Sequence, residues 1–265
     1  MLTRLLFAFT ILLAAPASAD RAVDLELVLA VDASGSVDQV EFDLQLGGIA
    51  AAFRDAEIHN AIASGELGRI GVALMIWSDA QSKKAISRWI MIDSRAAAEA
   101  FADLTWSQRK RRKSFLGKSG TGIGSAIGQG IRMFRRNGMS GTRKVIDVSG
   151  DGHETPLRFG EGMALPEARR RARRSDIIVN GLAINVDNPD LDDYYRRKVI
   201  TGPGAFVIAA SGYDDFARAM KQKLLREIQV LSSERKLPRG LAAGPTDVSS
   251  QADARSATGR WVQSR

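Results

Sequence analysis

The sequence predicts a doubly wound α/β domain, a mostly parallel six-stranded sheet with helices on both faces. Three observations carry this. Short apolar runs alternate with stretches of helical period. Several runs are apolar on both faces, as strands covered on both sides must be. Two runs end in aspartate, Asp32 and Asp151, each in a tight glycine-containing turn.

Residues 25–31 (LELVLAV) form the first strand, ending at Asp32. After Ala33-Ser34-Gly35-Ser36 a helix begins: Asp38 and Glu41 have capping-box spacing, and Phe42, Leu46, Ile49 and Phe53 repeat as one buried stripe. Residues 69–77 form the second strand, with Ile70, Val72, Leu74 and Ile76 on one face and Ala73 and Met75 on the other. Residues 85–92 read as a third strand, 94–104 as an alanine-rich helix and 105–120 as a polar, basic loop. Residues 121–136 read as a helix with Ile123, Ile127, Ile131 and Phe134 inward. The fourth strand, 144–148, runs into Ser149-Gly150-Asp151-Gly152. Pro166 suits the first turn of the next helix. Residues 177–184 and 205–209 supply the fifth and sixth strands, and 214–230 the last helix. Asp147 falls inside the fourth strand, where an unpaired carboxylate would be costly; it is expected to be buried and hydrogen-bonded.

Residues 1–19 have the form of a secretory signal peptide: Arg4, an apolar run over 5–15, Pro16, then Ala17-Ser18-Ala19 before Asp20. The run is shorter than the roughly 20 residues of a membrane-spanning helix. A periplasmic or secreted protein cut after Ala19 is therefore expected, with no transmembrane segment. Apolar periodicity stops near residue 232, so one domain is expected over 20–231 and a basic, disordered tail over 232–265. The chain has 265 residues, a formal charge of +8 and 45% hydrophobic residues, which excludes a largely disordered chain. It has no cysteine, which excludes disulfides, thiolate metal sites and cysteine nucleophiles. Its two histidines, His59 and His153, are too few for a multi-histidine zinc site.

In an open α/β sheet, ligands bind beyond the carboxyl ends of the strands. Asp32, Ser34, Ser36 and Asp151 all fall there, and Thr121, opening a helix, can reach the same rim. Together they offer two carboxylates and three hydroxyls, with no nitrogen or sulfur. That set suits a hard divalent cation such as Mg²⁺ or Mn²⁺ and leaves room for an outside ligand.

An apolar strand ending in Asp32-x-Ser34-x-Ser36, a distant Thr121 opening a helix, and a later strand ending in Asp151-Gly152 resemble the von Willebrand factor type A (VWA) domain. The resemblance covers about residues 23–231. The three elements match the metal-ion-dependent adhesion site of that family. It implies that Ser34, Ser36 and Thr121 bind the metal through their hydroxyls, that Asp32 and Asp151 bind it directly or through water, and that a partner carboxylate completes the shell. The segments VDLELVLAVDASGSVD, RKVIDVSGDG, IIVNGLAI and GPGAFVIA are similar to an exported bacterial branch of the family whose function is uncharacterised.

The expected function is thus a metal-dependent, adhesion-type module that binds an Asp or Glu of a protein partner, without catalytic residues of its own. Two rivals are a metal-dependent hydrolase, such as a phosphoesterase, and an envelope protein with a vestigial site. His153 reads as a surface-loop histidine. The Gly117-Lys118-Ser119 segment lacks the earlier glycine and preceding strand of a phosphate loop. Arg169 to Arg174 read as the solvated face of a helix. Residues 109–113 (RKRRK) read either as a solvated loop or as a basic rim drawing an acidic partner or an anionic envelope surface; nucleic acid is not expected.

Overall fold

The computed structural model describes residues 20–115, 120–157 and 161–234. The expected signal peptide and the residues beyond 234 lie outside these, as does the Gly117-Lys118-Ser119 segment.

Seven strands form one sheet: β1 (Arg21–Asp32), β2 (Ile70–Trp77), β3 (Ala85–Ile86), β4 (Ile90–Ile92), β5 (Met139–Gly150), β6 (Ile177–Ile184) and β7 (Val207–Ala210). The order is β3-β2-β1-β5-β6-β7, with β4 also on β2. The pairs of β1 with β2 and β5, of β5 with β6 and of β6 with β7 are parallel. The mostly parallel sheet is as expected, but it has seven strands instead of six. The expected third strand is split into β3 and β4, both antiparallel to β2. The registers explain the break. Met75 faces Ile86 and Val72 faces Ile90, so three residues, Ser87 to Trp89, oppose the two between them on β2. That extra residue is a bulge. The Ser87 hydroxyl fills the gap, accepting from the Leu74 amide at 2.9 Å and donating to the Arg88 carbonyl at 2.8 Å.

Strand β1 is central, and its side chains alternate between two cores. Leu25, Leu27, Leu29 and Val31 face one core, which holds Phe42, Phe53, Phe101, Phe216 and Leu224. Val28 and Ala30 face the other, with Trp77, Ile127, Leu165 and Tyr195. The first core lies under α1 (Gln39–Arg54), α2 (Ala56–Ala63), α3 (Arg95–Ser107) and α7 (Phe216–Glu234); the second lies under α4 (Ile123–Met133), α5 (Leu165–Arg174) and the short α6 (Leu191–Tyr194), which continues as a π-helical turn over Tyr195–Val199.

The capping box at Asp38 and Glu41 is present, and Pro166 stands in the first turn of α5. The expected loop at 105–120 is instead the end of α3 followed by a 3₁₀ helix over Gln108–Phe115. The helix expected at 121–136 is shorter, with Gly122 at the N-cap and Thr121 just outside it. Asp147 is buried with two charged neighbours from α7: it accepts from the Lys223 ammonium, which lies 3.3 Å from the Glu227 carboxylate. Lys223 and Glu227 are themselves fully buried. The arginine face of α5 is not simply solvated. Arg170 and Arg171 pair with Glu167, but Arg169 donates to the Ile200 carbonyl and Arg173 to the Thr201 hydroxyl. Among the described residues no helix is long and apolar enough to cross a membrane.

Candidate metal centre

The site is built from the carboxyl ends of β1 and β5. At the end of β1, the Asp32 Oδ1 atom accepts from the Ser34 amide at 2.7 Å, folding the chain into a tight turn. The turn continues with the Val37 amide donating to the Ser34 carbonyl at 3.1 Å. Gln45, buried on α1, donates to the Asp32 carbonyl at 3.1 Å and ties the turn to the helix it feeds. Asp32 and Ser34 are buried, whereas Ser36 is exposed. The hydroxyls of Ser34 and Ser36 are 3.4 Å apart.

Asp151 comes to the same place just beyond β5. Its Oδ1 accepts from the Ser36 hydroxyl at 3.0 Å and its Oδ2 from the Tyr213 hydroxyl at 3.1 Å. Asn188 holds its backbone carbonyl at 3.2 Å. Four of the five expected residues, Asp32, Ser34, Ser36 and Asp151, are thereby linked in one cluster. Thr121 is next door: its Oγ1 would lie 3.2 Å from a Cβ on Gly152. Two hydrogen bonds with Thr155 fix its backbone, and among the described residues no hydrogen bond joins its hydroxyl to the other four.

The electrostatics of this cluster are unfavourable without a cation. Burial, and next the charge of Asp151, push the Asp32 carboxyl up to about 8; the Ser34 hydrogen bonds and the Arg112 guanidinium pull the other way. Asp32 Oδ2 is buried and has no hydrogen-bond partner. The Tyr195 hydroxyl, also buried, has none either. Both line one small space, because a Cβ on Gly150 would sit 2.8 Å from each. Only glycine leaves that space open. Burial, then the charges of the two aspartates, raise both Tyr195 and Tyr213 above the usual phenol range.

Sequence reasoning missed several supports of this centre. Arg112, in the basic run 109–113, is buried; it donates from Nε to the Val37 carbonyl at 2.8 Å and from Nη2 to the Ser34 carbonyl at 3.3 Å. Glu154 caps α4, where Gly122 has no side chain to do so: its Oε2 accepts from the Gly124 amide at 3.0 Å. Burial pushes the Glu154 carboxyl up to about 7. His153 is exposed and stacks on Tyr194, with ring centroids 4.1 Å apart. The tyrosines sit in stretches without a motif, and within the basic run nothing in the sequence distinguishes Arg112 from its exposed neighbours.

Among the described residues no three His, Cys, Asp or Glu side chains cluster, so a metal here would depend on the hydroxyls. The donors are chemically suited to one: all are oxygens, one carboxylate oxygen is orphaned, and two carboxylates lie in a buried, mutually repelling pair.

The chain is similar in structure to the pilus adhesin SpaC of Lactobacillus rhamnosus GG, at 14% identity and a TM-score of 0.52, covering 82% of this chain and 31% of that one. It is also similar to the proximal thread matrix protein 1 of the mussel byssus (13% identity, TM-score 0.49, 79% of this chain and 47% of that one). A third likeness is to the vWF domain of the type V pilus tip protein Mfa5 of Porphyromonas gingivalis (10% identity, TM-score 0.49, 78% and 96%). The chain thus spans under a third of the pilus adhesin and about half of the byssus protein. No curated protein sequence matches it. The fold is VWA-like, a mostly parallel sheet with helices on both faces. Residues 22–232 match the family model described as "Protein of unknown function (DUF1194)", and the chain belongs to that family.

Proposed function

We propose that the chain is an exported, adhesion-type module in which Asp32, Ser34, Ser36, Thr121 and Asp151 hold Mg²⁺ or Mn²⁺ for a carboxylate of a protein partner. One observation carries this reading. Asp32 brings a buried oxygen without a donor beside Asp151, and serine hydroxyls already bridge the two turns. A bound cation supplies positive charge and an exchangeable coordination position. The chain's own part is to orient the donors. The Asp32 turn brings the Ser34 and Ser36 hydroxyls together, Arg112 and Gln45 hold that turn, and Tyr213 fixes the Asp151 carboxylate. Three of the five donors are neutral hydroxyls, which would leave an ion enough charge to attract a partner's Asp or Glu.

The likeness to a pilus adhesin supports the fold and makes binding the natural activity to test. Under this reading the protein is not an enzyme and is exported after cleavage behind Ala19. The test is retention of the native partner from an envelope extract, in Mg²⁺ and in EDTA. Retention in Mg²⁺, release by EDTA, and weakening by Ser34→Ala and Thr121→Ala are expected. Equal retention under both conditions would remove the metal-bridged mechanism. Turnover of a generic phosphoester that is lost in Asp32→Ala would replace it with a hydrolase.

A further inference from the structure

A cleft of about 880 Å³ opens beside the candidate metal centre. Thr121 lines it, as do Asp79, Lys83, Lys84, Arg111 and Thr155. One wall is the turn after β2, and that turn is rigidly built. The Lys84 ammonium donates to three of its carbonyls: Asp79 at 2.9 Å, Ala80 at 3.2 Å and Ser82 at 2.8 Å. The Asp79 carboxylate in turn accepts from the amides of Gln81 (2.8 Å) and Ser82 (2.7 Å). Gly122 presses on the back of the turn, where a Cβ would meet the Ala80 nitrogen at 2.5 Å. The wall therefore does not need to be ordered on binding.

The charges in the cleft are divided by role. Lys84 donates to backbone carbonyls, Asp79 accepts within its own turn, and Glu161, which also lines the cleft, accepts from the Gln81 side-chain amide at 2.7 Å. Lys83 and Arg111 are exposed, and neither has a hydrogen bond or ion pair among the described residues. Many other surface cations are paired, including Arg54, Arg170, Arg171, Arg196 and Arg218. Two cations without a partner among the described residues, in a concave cleft with one rigid wall running to Thr121, call for an anionic occupant. A concave wall suits an extended chain better than a flat lipid surface.

Building on the metal-bridged reading, we propose that the partner is an acidic peptide segment: one carboxylate meets the metal rim, and a second, a few residues along, lies in this cleft against Lys83 and Arg111. The cleft thus sets which carboxylate-bearing partners are accepted. Each exposed ion pair is worth little alone, and the two act through a fixed spacing from the metal.

The test measures fluorescence anisotropy of a labelled hexaglutamate and of an equally long Gly-Ser peptide with one central glutamate. Three chains are compared in Mg²⁺ and in EDTA: the parent, Lys83→Ala/Arg111→Ala, and Lys110→Ala/Lys113→Ala. The last loses the same charge from exposed positions that do not line the cleft. In Mg²⁺ the parent is expected to prefer hexaglutamate by about 5- to 30-fold. The cleft variant is expected to lose that preference, and the control variant to keep it. An unchanged Mg²⁺-induced Tm shift in the cleft variant shows that its fold and metal centre survive. A preference that persists in the cleft variant, or vanishes equally in the control, overturns the proposal. So does cleft-dependent capture by phosphatidylglycerol vesicles without a peptide preference. A cleft-dependent preference that is indifferent to EDTA keeps the cleft and removes the metal reading. EDTA-sensitive binding of both peptides with no preference keeps the metal reading and removes the cleft.

Discussion

Arg112 donates its Nε hydrogen to the Val37 carbonyl at 2.8 Å, joining the 3₁₀ helix after α3 to the turn that carries Ser34 and Ser36. A side chain from a run of five basic residues is thus a strut of the candidate site. Arg112→Ala leaves the Val37 carbonyl without its donor and removes one of the two donors to the Ser34 carbonyl. A loss of about 1.5–3 kcal/mol is expected, with weaker metal binding. Lys110→Ala and Lys113→Ala, at exposed positions, should stay within about 0.5 kcal/mol of the parent. Urea unfolding of the three variants, with a metal titration of each, checks this. Equal effects would return Arg112 to the surface.

The second expectation concerns Asp32. Its buried carboxylate faces Asp151 without a donor on Oδ2. In EDTA at pH 7, Asp32→Asn should raise Tm, because the amide is neutral without taking up the proton that the buried carboxyl must bind on folding. A gain of about 1 kcal/mol appears as a rise of about 2–4 °C in a domain of this size. In Mg²⁺ the parent should gain stability and the variant should not. A variant that keeps the full Mg²⁺ shift would place the metal elsewhere.

Glu154 gives a pH dependence. Its carboxyl stands at about 7 in the folded chain, pushed up by burial, whereas an unfolded glutamate titrates near 4.3. Between those values the native state binds a proton that the unfolded state does not. Stability from this group is therefore present below about pH 4 and is lost as pH rises to about 7. Glu154→Gln removes the titration and keeps an oxygen for the Gly124 amide. Measured in EDTA, the stability of the variant relative to the parent should rise by about 1–2 kcal/mol from pH 4.5 to 7.5. A flat difference across that range would show that the carboxyl titrates normally.

The buried trio of Asp147, Lys223 and Glu227 should respond asymmetrically. Lys223→Met strands the Asp147 carboxylate in the core and should cost about 3–5 kcal/mol, whereas Glu227 keeps the Asn180 amide and Arg143 at 3.7 Å. Adding Asp147→Asn and Glu227→Gln to Lys223→Met should recover part of that loss. Chemical denaturation of the single and triple variants measures the coupling. A triple variant less stable than the single one would contradict it.

The sheet was legible because its strands are buried on both faces. Residues 177–184 have the same limits in sequence and structure, and Asp32 and Asp151 stand at strand ends as their turn residues implied. The third strand misled because Ser87 supplies by hydroxyl what the ladder lacks, and a bulge leaves no mark in hydropathy. The helix α2 was hidden because Asp55 both ends α1 and caps α2, so no glycine or proline separates them. At the site, the Asp-x-Ser-x-Ser turn was readable because its hydrogen bonds are local. Arg112, Tyr195 and Tyr213 arrive through tertiary packing, for which single-chain patterns hold no signal.

The central position of β1 has a kinetic consequence. Its partner β5 is far along the chain, and Ser36 meets Asp151 across 115 residues of sequence. The candidate donors assemble only once that long-range pairing closes, which is the slow step in parallel topologies. A cation cannot template so late an event. Mg²⁺ is therefore expected to leave the refolding limb of a chevron plot nearly unchanged and to slow the unfolding limb, so that the ion acts as a latch on a finished sheet.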